Sequence, residues 1–521
     1  MVIRRLKKLL TLQTTFTGNC LTFDTLSMKE HLVTPNQTTE LEAYFNAFKK
    51  NVIGDTTTFD SYYGVQQMRY ADWIASGRLY RPIEKIICEK VGPMMANTHS
   101  FSSESGKATT YLYQEARQAI KKHVNASQDD ILVTTGTGMT GALNKLLRIL
   151  KMLPAKTHAS VEETPVVFLT HMEHHSNQVC WFETGADVVL LPLCENGLVQ
   201  AEILETEIKK YKNRKVLIGS FTACSNVTGI ISPYHTLAKI MHDHGGYCFV
   251  DFAASAPYVS IDMHPKNANE HLDAIFFSPH KFLGGPGSCG VLVYDKKLHQ
   301  NTIPDHPGGG NVKWTKPSGE FAYFEDIETR EDGGTPGILQ VIRAALAINL
   351  KEKMSVEKIQ QREDELLHLF YTSVENNAEI KILGARNQKQ IGCVSFNINN
   401  MHYNLVVRLL NDRFGIQVRG GWSCASTYAH HLCEIKEGSS AVIMDQIEAK
   451  NLSEKPGWVR LSLHPIMSTA ELVFIINALM EIIQHKDTWS KDYTYNATTN
   501  EFDALYEIKS DPNRYKDILS I

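Results

Sequence analysis

The loop Thr135–Gly141 contains residue types that can hold a phosphate group. It reads TGTGMTG and lies between a segment that predicts a strand and a segment that predicts a helix. Glycines leave backbone N–H groups exposed and the N-terminus of a helix favours an anion, so the loop predicts a phosphate cradle. Its glycines also match the GxGxxG pattern of dinucleotide-binding proteins. Because the segment 285–290 matches that pattern as well, a dinucleotide site and a plain tight turn both stay open.

Asp251 and Lys281 each follow an apolar segment of the sequence. An acid at the carboxyl end of a buried parallel strand lies where ligands bind in open α/β sheets, although a cap or a salt bridge would also explain Asp251. Lys281 ends the sequence SPHK and is framed by apolar residues and glycines. Burial lowers the pKa of such a lysine toward that of a neutral amine, which can form a Schiff base. A phosphate loop, a strand-end acid and a buried lysine together predict pyridoxal phosphate as the cofactor.

Cys424 has a sequence context that sets it apart from the other cysteines. The sequence carries ten cysteines without a CxxC pair, so neither a disulfide framework nor a zinc ribbon is expected. Two glycines and Arg419 precede Cys424 closely. A thiol on such a loop is exposed and biased toward the nucleophilic thiolate, although an ordinary loop thiol is the alternative. Most of the cysteines are expected to be small buried hydrophobic residues in a reducing compartment.

The segment 171–175 is rich in histidine, which raises the question of a metal. It reads HMEHH, which matches neither the HExxH motif nor its inverted form. No cysteine pair is present to complete a zinc site. We therefore expect no metal at this segment.

An alternation of strands and helices is expected to position these residues. Seven apolar segments predict buried strands at 131–135, 166–170, 188–191, 216–222, 248–252, 274–277 and 290–294. Helical patterns lie between several of them, at 141–152, 178–184, 201–211 and 234–244. This order predicts an α/β fold whose large domain has a seven-stranded, mainly parallel sheet with helices on both faces.

Four segments are expected along the chain. Residues 1–65 form an N-terminal extension without an assigned role, apart from one helical stretch at 39–50. Residues 66–345 form the large domain, and 346–486 form a smaller α+β domain. The tail, 487–521, is polar and lacks clear periodicity.

The overall composition excludes several classes of protein. The 521 residues carry 53 basic and 57 acidic side chains, a formal net charge of -4 at pH 7, so nothing indicates a nucleic-acid or anionic-membrane partner. The apolar stretch 472–480 is too short to span a bilayer. The basic N-terminus has too short an apolar core for a signal peptide. We expect a basic amphipathic first helix in a cytoplasmic protein, with an organelle transit peptide left open.

Several of these segments resemble the class V aminotransferase family of fold-type-I pyridoxal-phosphate enzymes, and within it the cysteine desulfurases and selenocysteine lyases. The resemblance extends from near Tyr70 to Leu479. The matching segments are EHHSN at 173–177 followed by Trp181, SNVTG at 225–229, SPHK at 278–281, GGG at 308–310, GTP at 334–336, RGGWSC at 419–424 and GWVRLS at 457–462. In the sulfur-mobilising members an arginine precedes the nucleophilic cysteine by five residues, as Arg419 precedes Cys424 here.

The resemblance implies roles for the matching residues. Lys281 would hold the cofactor and move the α-proton, Asp251 would keep the ring nitrogen protonated, and His174 would stack on the ring. The other cofactor-binding residues would be Gly138, Met139, Thr140, Asn226, Ser278, His280 and, across a homodimer interface, Thr335. Arg460 would bind the carboxylate of an amino-acid substrate, with Arg419 as a second substrate-binding residue. Cys424 would take sulfur from cysteine, release alanine and pass the sulfur to an acceptor, such as another protein.

The sequence departs from the family pattern in two places. Trp422 and Ser423 stand where the family carries histidines, and Ala254 stands where it carries a glutamine that bonds the ring oxygen. A class V aminotransferase, an epimerase or another lyase that does not use Cys424 therefore remains an alternative. More distant alternatives are a dinucleotide-binding oxidoreductase that uses the loop 136–141 and a non-catalytic binding protein, against which an intact Lys281 argues.

Overall fold

The structure is a computed structural model that describes residues 39–155, 157–194, 197–506 and 513–520. These residues belong to one compact unit. The basic first helix expected from the sequence lies outside the described residues. Among the described helices, none combines the length and the apolar character needed to cross a membrane.

The strands alternate with helices over the first two thirds of the described chain. The strands are β1 (Thr58–Ser61), β2 (Gly64–Gln67), β3 (Arg69–Tyr70), β4 (Asp130–Thr135), β5 (Val166–Leu169), β6 (Asp187–Leu190), β7 (Leu217–Thr222), β8 (Tyr247–Asp251), β9 (Ala274–Phe277), β10 (Gly290–Asp295), β11 (Val312–Thr315), β12 (Phe321–Tyr323), β13 (Ile380–Ile382), β14 (Cys393–Ile398), β15 (Ile416–Gln417), β16 (Arg419–Gly421), β17 (Trp458–Ser462), β18 (Tyr493–Asn496) and β19 (Glu501–Ala504).

The helices include both short connectors and long packed segments. They are α1 (Glu40–Lys49), α2 (Arg81–Ile86), α3 (Glu104–His123), α4 (Gly138–Ile149), α5 (Val179–Phe182), α6 (Ala201–Ile208), α7 (Tyr234–Asp243), α8 (Ile327–Glu331), α9 (Ile338–Met354), α10 (Val356–Val374), α11 (Tyr403–Phe414), α12 (Ser426–Leu432), α13 (Glu437–Glu448), α14 (Thr469–Trp489) and α15 (Asn513–Leu519).

A seven-stranded sheet forms the centre of the fold, in the order β4-β10-β9-β8-β7-β5-β6. The strands from β9 to β6 pair in parallel, and β10 is antiparallel to both β9 and β4. Strands β5, β7 and β9 consist of buried residues, because helices cover both faces of the sheet. The predicted α/β fold is confirmed, and each strand of this sheet begins and ends within one residue of its predicted bounds.

Helices pack on both faces of this sheet and form two layers of core. On one face, α3, α6, α7 and α9 contribute buried residues such as Ile120, Met241 and Val341. On the other face, α4 packs Leu143 and Leu146 against the strands. The apolar face of each helix is buried and its polar face is exposed, as amphipathic helices require.

The strand directions bring four loops to one edge of the sheet. Thr222 pairs with Asp251 and Asp251 with Phe276, so β7, β8 and β9 end side by side. Because β10 is antiparallel to β9 and to β4, strand β4 also ends at this edge, and the loop 135–141 follows it. Open α/β sheets bind ligands at this edge.

A smaller antiparallel sheet, in the order β13-β14-β17-β16, follows the long helices α9 and α10. Arg460 lies at the centre of β17, and its Cα pairs with that of Arg419 at the start of β16. The two arginines that the sequence marked are therefore neighbours across two strands.

The sequence did not predict three parts of the C-terminal region. Helices α12 and α13 lie between β16 and β17, and no residue of α13 is buried. The apolar residues of α13 form one run at 441–444 followed by Ile447, which does not have the regular spacing that predicts a helix. Helix α14 continues to Trp489, and β18 and β19 form a hairpin in the expected tail. Polar contacts attach this hairpin to helix α11. For example, Tyr493 Oη donates to the carboxylate of Asp412 at 3.1 Å.

Candidate active site

A cavity of about 520 Å³ opens at the carboxyl edge of the large sheet. Of the residues that the sequence marked, those that line it are Gly138, Met139, Thr140, His174, Asn226, Asp251, Ser278, His280, Lys281, Arg419, Cys424 and Arg460. Thr335 does not line it and is exposed in the turn before α9. The cavity thus combines groups from the large sheet with groups from the smaller one.

The loop before α4 forms an anion cradle. Gly138 has a φ of +61°, and a Cβ there would lie 2.9 Å from Ser278 Oγ, so the site requires glycine. The N–H of Met139 donates to the same Oγ at 2.8 Å, and Thr140 Oγ1 lies 2.7 Å from Ser176 Oγ. Backbone amides and hydroxyls therefore converge at the N-terminus of a twelve-residue helix, where a phosphate is favoured.

Asp251 is buried at the end of β8, with 3% of its surface exposed. One carboxylate oxygen accepts a hydrogen bond from the N–H of Ala253 at 2.7 Å. Burial raises the pKa of this carboxyl to about 6, although that bond and the charge of Lys281 oppose the shift. Burial makes the negative charge of this carboxylate unfavourable. The protonated ring nitrogen of a bound ligand would offset this effect by placing a positive charge beside the carboxylate.

Lys281 lies in a single helical turn after β9 and lines the cavity. Burial lowers the pKa of its amine to about 8, and the charge of Arg460 adds to this effect while Asp251 opposes it. A substantial fraction of the amine is therefore neutral near physiological pH, as covalent attachment to an aldehyde requires.

His174 precedes the short turn that leads to α5 and lines the same cavity. Its Nδ1 accepts a hydrogen bond from the N–H of Ser176 at 3.1 Å. Burial and the charge of Lys281 lower the pKa of the imidazole to about 3. The ring is therefore neutral and can lie against another aromatic ring without bringing a positive charge.

The neighbours of His174 have structural partners. Glu173 is buried and accepts hydrogen bonds from Thr170 Oγ1 at 2.7 Å and Asn177 Nδ2 at 2.7 Å. His171 Nε2 lies 3.1 Å from the carbonyl of Gly197. Trp181 donates from Nε1 to Asn177 Oδ1 at 3.3 Å. Glu173 also accepts from the N–H of Thr222 at 2.9 Å, and Asn177 Nδ2 donates to the carbonyl of Ser220 at 3.2 Å. These two bonds to β7 hold the segment 171–181 against the sheet and fix the position of His174.

The polar groups of the cavity fit pyridoxal phosphate. The anion cradle, the buried Asp251 and the amine of Lys281 match its phosphate, its ring nitrogen and its aldehyde. Three further polar atoms are buried at the cavity without a partner in the described part of the chain, Ser288 Oγ, Asn226 Oδ1 and Arg460 Nε. A bound ligand would satisfy such atoms. Ala254 also lines the cavity and offers no side-chain donor to the ring oxygen.

Cys424 reaches the cavity from a loop that follows β16. Ser423 and Cys424 have φ of +51° and +53°, a conformation that non-glycine residues rarely adopt. Asn226 Nδ2 donates to the carbonyl of Ser423 at 2.7 Å, and Trp458 Nε1 donates to its Oγ at 3.1 Å. Several contacts thus hold the loop in this conformation, and the thiol of Cys424 is exposed and free.

Asp72 is a residue of this site that the sequence did not mark. Its Oδ1 accepts a hydrogen bond from Arg460 NH2 at 3.0 Å, and its Oδ2 accepts one from Arg419 Nε at 2.9 Å. The segment that carries it, YADW at 70–73, contains no motif that indicates chemistry. Only the position of this segment beside β17, where the N–H of Ser462 donates to the carbonyl of Ala71 at 2.8 Å, brings Asp72 to the arginines.

The fold and the lining of the cavity define the class of a fold-type-I, pyridoxal-phosphate-dependent enzyme. The sequence profile of the aminotransferase class-V family matches residues 70–473. The chain therefore belongs to the aminotransferase class-V family.

Individual relatives agree with this assignment. The chain is 32% identical over 340 residues to a probable cysteine desulfurase of Halalkalibacterium halodurans, covering 63% of this chain and 77% of the relative. It is 30% identical over 379 residues to a probable cysteine desulfurase of Staphylococcus aureus, covering 72% and 87%.

Solved structures share the fold. A cysteine desulfurase from Thermococcus onnurineus superposes with a TM-score of 0.68 at 22% identity, covering 87% of this chain and 100% of that one. A cysteine desulfurase from Escherichia coli gives a TM-score of 0.63 at 20% identity, covering 80% and 94%.

Proposed function

We propose that this chain is a pyridoxal-phosphate-dependent cysteine desulfurase, which converts L-cysteine to L-alanine and keeps the sulfur on Cys424. The observation that carries the proposal is that Cys424 lines the same cavity as Lys281 and Asp251. A transaminase or an epimerase has no use for a thiol at this position. The cysteine desulfurases among the relatives support the same reaction.

The residues of the cavity have separate tasks in this proposal. Pyridoxal phosphate, when bound, supplies an electron sink for the bonds around the α-carbon of an amino acid. Lys281 would hold it through its amine, and the loop 138–140 would hold its phosphate. Asp251 would bind the ring nitrogen, and the neutral ring of His174 would cover one face of the cofactor.

Arg460 and Lys281 act on the amino acid itself. The planar guanidinium of Arg460 would bind the α-carboxylate of the substrate and orient the α-carbon toward Lys281. The lowered pKa of Lys281 would let its amine, when not bonded to the cofactor, accept the α-proton near neutral pH. These two residues therefore fix which proton is removed.

Cys424 completes the reaction. Its thiolate attacks the sulfur of the substrate, the bond between that sulfur and Cβ breaks, and the electron pair of that bond stays with carbon. Cβ then takes up one proton and Lys281 returns one to the α-carbon, so that the amino acid leaves as alanine. The sulfur stays on Cys424 as a persulfide, from which a thiol acceptor, small or protein-bound, can take it.

Further parts of the proposal concern assembly and location. We propose a homodimer, because Thr335 is exposed and outside the cavity of its own chain, where it is free to reach a second subunit. A reducing compartment such as the cytoplasm suits a reaction that depends on a free thiol.

The test is the turnover of L-cysteine by the protein loaded with pyridoxal phosphate. We expect alanine and, with a reductant, an equal amount of sulfide. Cys424→Ser should remove both products and keep the absorbance of the bound cofactor, whereas the control Cys433→Ser should retain them, since Cys433 lies outside the cavity. Unchanged turnover in Cys424→Ser would refute the proposal and favour a lyase or a transaminase. Selenocysteine should be assayed in parallel, because a selenol leaves with less help from a thiol.

A further inference from the structure

The two arginines of the candidate substrate site are not free, because one carboxylate bridges them. Asp72 accepts from Arg460 NH2 through Oδ1 and from Arg419 Nε through Oδ2, at 3.0 and 2.9 Å. The side chains of Asp72 and Arg460 are 12% and 4% exposed, whereas that of Arg419 is 56% exposed. The bond to Arg460 therefore lies in the less hydrated environment of the two, where electrostatic interactions are stronger.

Hydrogen bonds to the backbone around Asp72 fix the position of this residue beside the arginines. Tyr70 Oη donates to the carbonyls of Asp72 and Ser76, at 3.2 and 3.0 Å. The N–H of Ile74 donates to Ser462 Oγ on β17 at 3.2 Å. Because β17 also carries Arg460, the carboxylate and the guanidinium are fixed to the same strand.

The hydrogen bonds of Arg460 involve NH1 and NH2 and leave its Nε–H without a partner among the described residues. Arg460 NH1 donates to the carbonyl of Asn226 at 3.1 Å, and NH2 is bonded to Asp72. The Nε is buried and has no acceptor in the part of the chain that the structure describes. The protein thus orients the guanidinium of Arg460, and its Nε–H remains available to donate to a ligand.

The three side chains of this bridge together carry a single positive charge. Arg460 and Arg419 contribute two positive charges and Asp72 one negative charge. A substrate with one carboxylate neutralises the remainder. A substrate with a second carboxylate on its side chain would leave this group of charges with an uncompensated negative charge, which is unfavourable in a site of low dielectric.

We infer that Asp72 is a positioning and specificity residue, which orients Arg460 and restricts the site to amino acids without a side-chain carboxylate. The inference rests on the proposed function, since it assumes that Arg460 binds an α-carboxylate beside the cofactor. The negative charge of Asp72 would provide this selectivity by repelling a second carboxylate, and repulsion of this kind is a common source of specificity.

The experiment compares two amino acids of nearly equal shape and different charge, L-aspartate and L-asparagine. Each is titrated into the protein loaded with pyridoxal phosphate, and the change in cofactor absorbance gives an apparent Kd. The wild-type protein should bind L-asparagine at least about tenfold more tightly than L-aspartate, and Asp72→Asn should shrink this ratio by about fivefold or more.

Asp412→Asn is the matched control. Asp412 has the same exposure as Asp72, 8%, and its side chain, also 12% exposed, accepts from Arg408 Nε at 2.8 Å. It lies outside the cavity, so its loss should leave the ratio unchanged. Asp72→Glu, which keeps the charge, should retain most of the wild-type discrimination.

A wild-type ratio near one overturns the inference whether or not Asp72→Asn folds. An unchanged ratio in a folded Asp72→Asn variant overturns it as well, while the proposed function stands. If the cofactor absorbance responds to neither these amino acids nor L-cysteine and L-alanine, the proposed function fails, and this inference fails with it.

Discussion

The backbone carbonyl of Cys424 accepts a hydrogen bond from the backbone N–H of His175 at 2.7 Å. This bond joins the loop after β16 to the segment next to His174. Ser426 reinforces the connection, because its Oγ lies 2.6 Å from His175 Nε2 and accepts from Trp422 Nε1 at 2.9 Å. The position of the thiol therefore depends on bonds between the smaller sheet and the large one.

Ser426→Ala should loosen this loop. The variant loses two hydrogen bonds, each of which stabilises the loop by about 1 kcal/mol. We therefore expect alkylation of Cys424 to become about 5-fold faster and turnover of L-cysteine to fall. Peptide mapping after a timed pulse of iodoacetamide measures the first effect. Ser440→Ala is the control, since Ser440 contacts His430 at 2.8 Å outside the cavity. An alkylation rate equal to that of the wild type would show that Ser426 does not hold the loop.

The regular part of the fold could be predicted from the sequence. Strands β5, β7 and β9 are buried on both faces, so their sequences are continuous apolar runs that predict them directly. Helix α13 could not be predicted, because its apolar residues form one run at 441–444 followed by Ile447, without the regular spacing that indicates a helix, and none of them is buried.

Of the candidate site, the sequence could predict the residues that directly follow a strand or match a family motif. Asp251 and Lys281 stand directly after apolar runs, and the resemblance to a family marked Cys424 and Arg460. Asp72 could not be found in this way, because its role depends on two arginines more than three hundred residues away. Long-range pairing of this kind leaves no local pattern.

The rate of covalent loading with pyridoxal phosphate should depend on pH through Lys281. Burial lowers the pKa of this amine to about 8, and only the neutral amine reacts, so the rate should rise with pH up to about 8 and then level off. Arg460→Gln removes a positive charge that lowers this pKa, so its curve should move to higher pH. Stopped-flow absorbance of cofactor-free protein measures both curves. Arg148→Gln, outside the cavity, should leave the curve in place, and identical curves for wild type and Arg460→Gln would contradict the assigned proximity.

Asp251→Asn should change how stability depends on pH in the cofactor-free protein. The folded pKa of Asp251, about 6, lies above the ordinary value of 3.8, so the folded state binds the proton more tightly than the unfolded chain. The contribution of this group to stability is therefore present at low pH and is lost as pH rises toward 6. Relative to Asp251→Asn, the wild type should lose about 1 kcal/mol of unfolding free energy between pH 5 and pH 7. Urea unfolding at both pH values measures this difference, and a constant difference would refute the buried carboxylate.

Thr335→Ala should weaken retention of pyridoxal phosphate if a second subunit completes the site. Loss of one hydrogen bond to a phosphate costs about 1.5 to 3 kcal/mol, which corresponds to roughly a tenfold to hundredfold weaker Kd. Dialysis followed by absorbance measures retention, and light scattering measures the mass of the particle. A monomer with full activity would rule out a shared site.

The central claim is that Cys424 accepts the sulfur of L-cysteine, and mass spectrometry of the protein after a single turnover tests it most directly. Protein loaded with pyridoxal phosphate is mixed with a limiting amount of L-cysteine labelled with heavy sulfur, quenched with an alkylating reagent and digested without reductant. The account predicts that the peptide containing Cys424 gains one labelled sulfur atom and that the peptide containing Cys433 gains none. Alanine formed without labelled sulfur on Cys424 would contradict it.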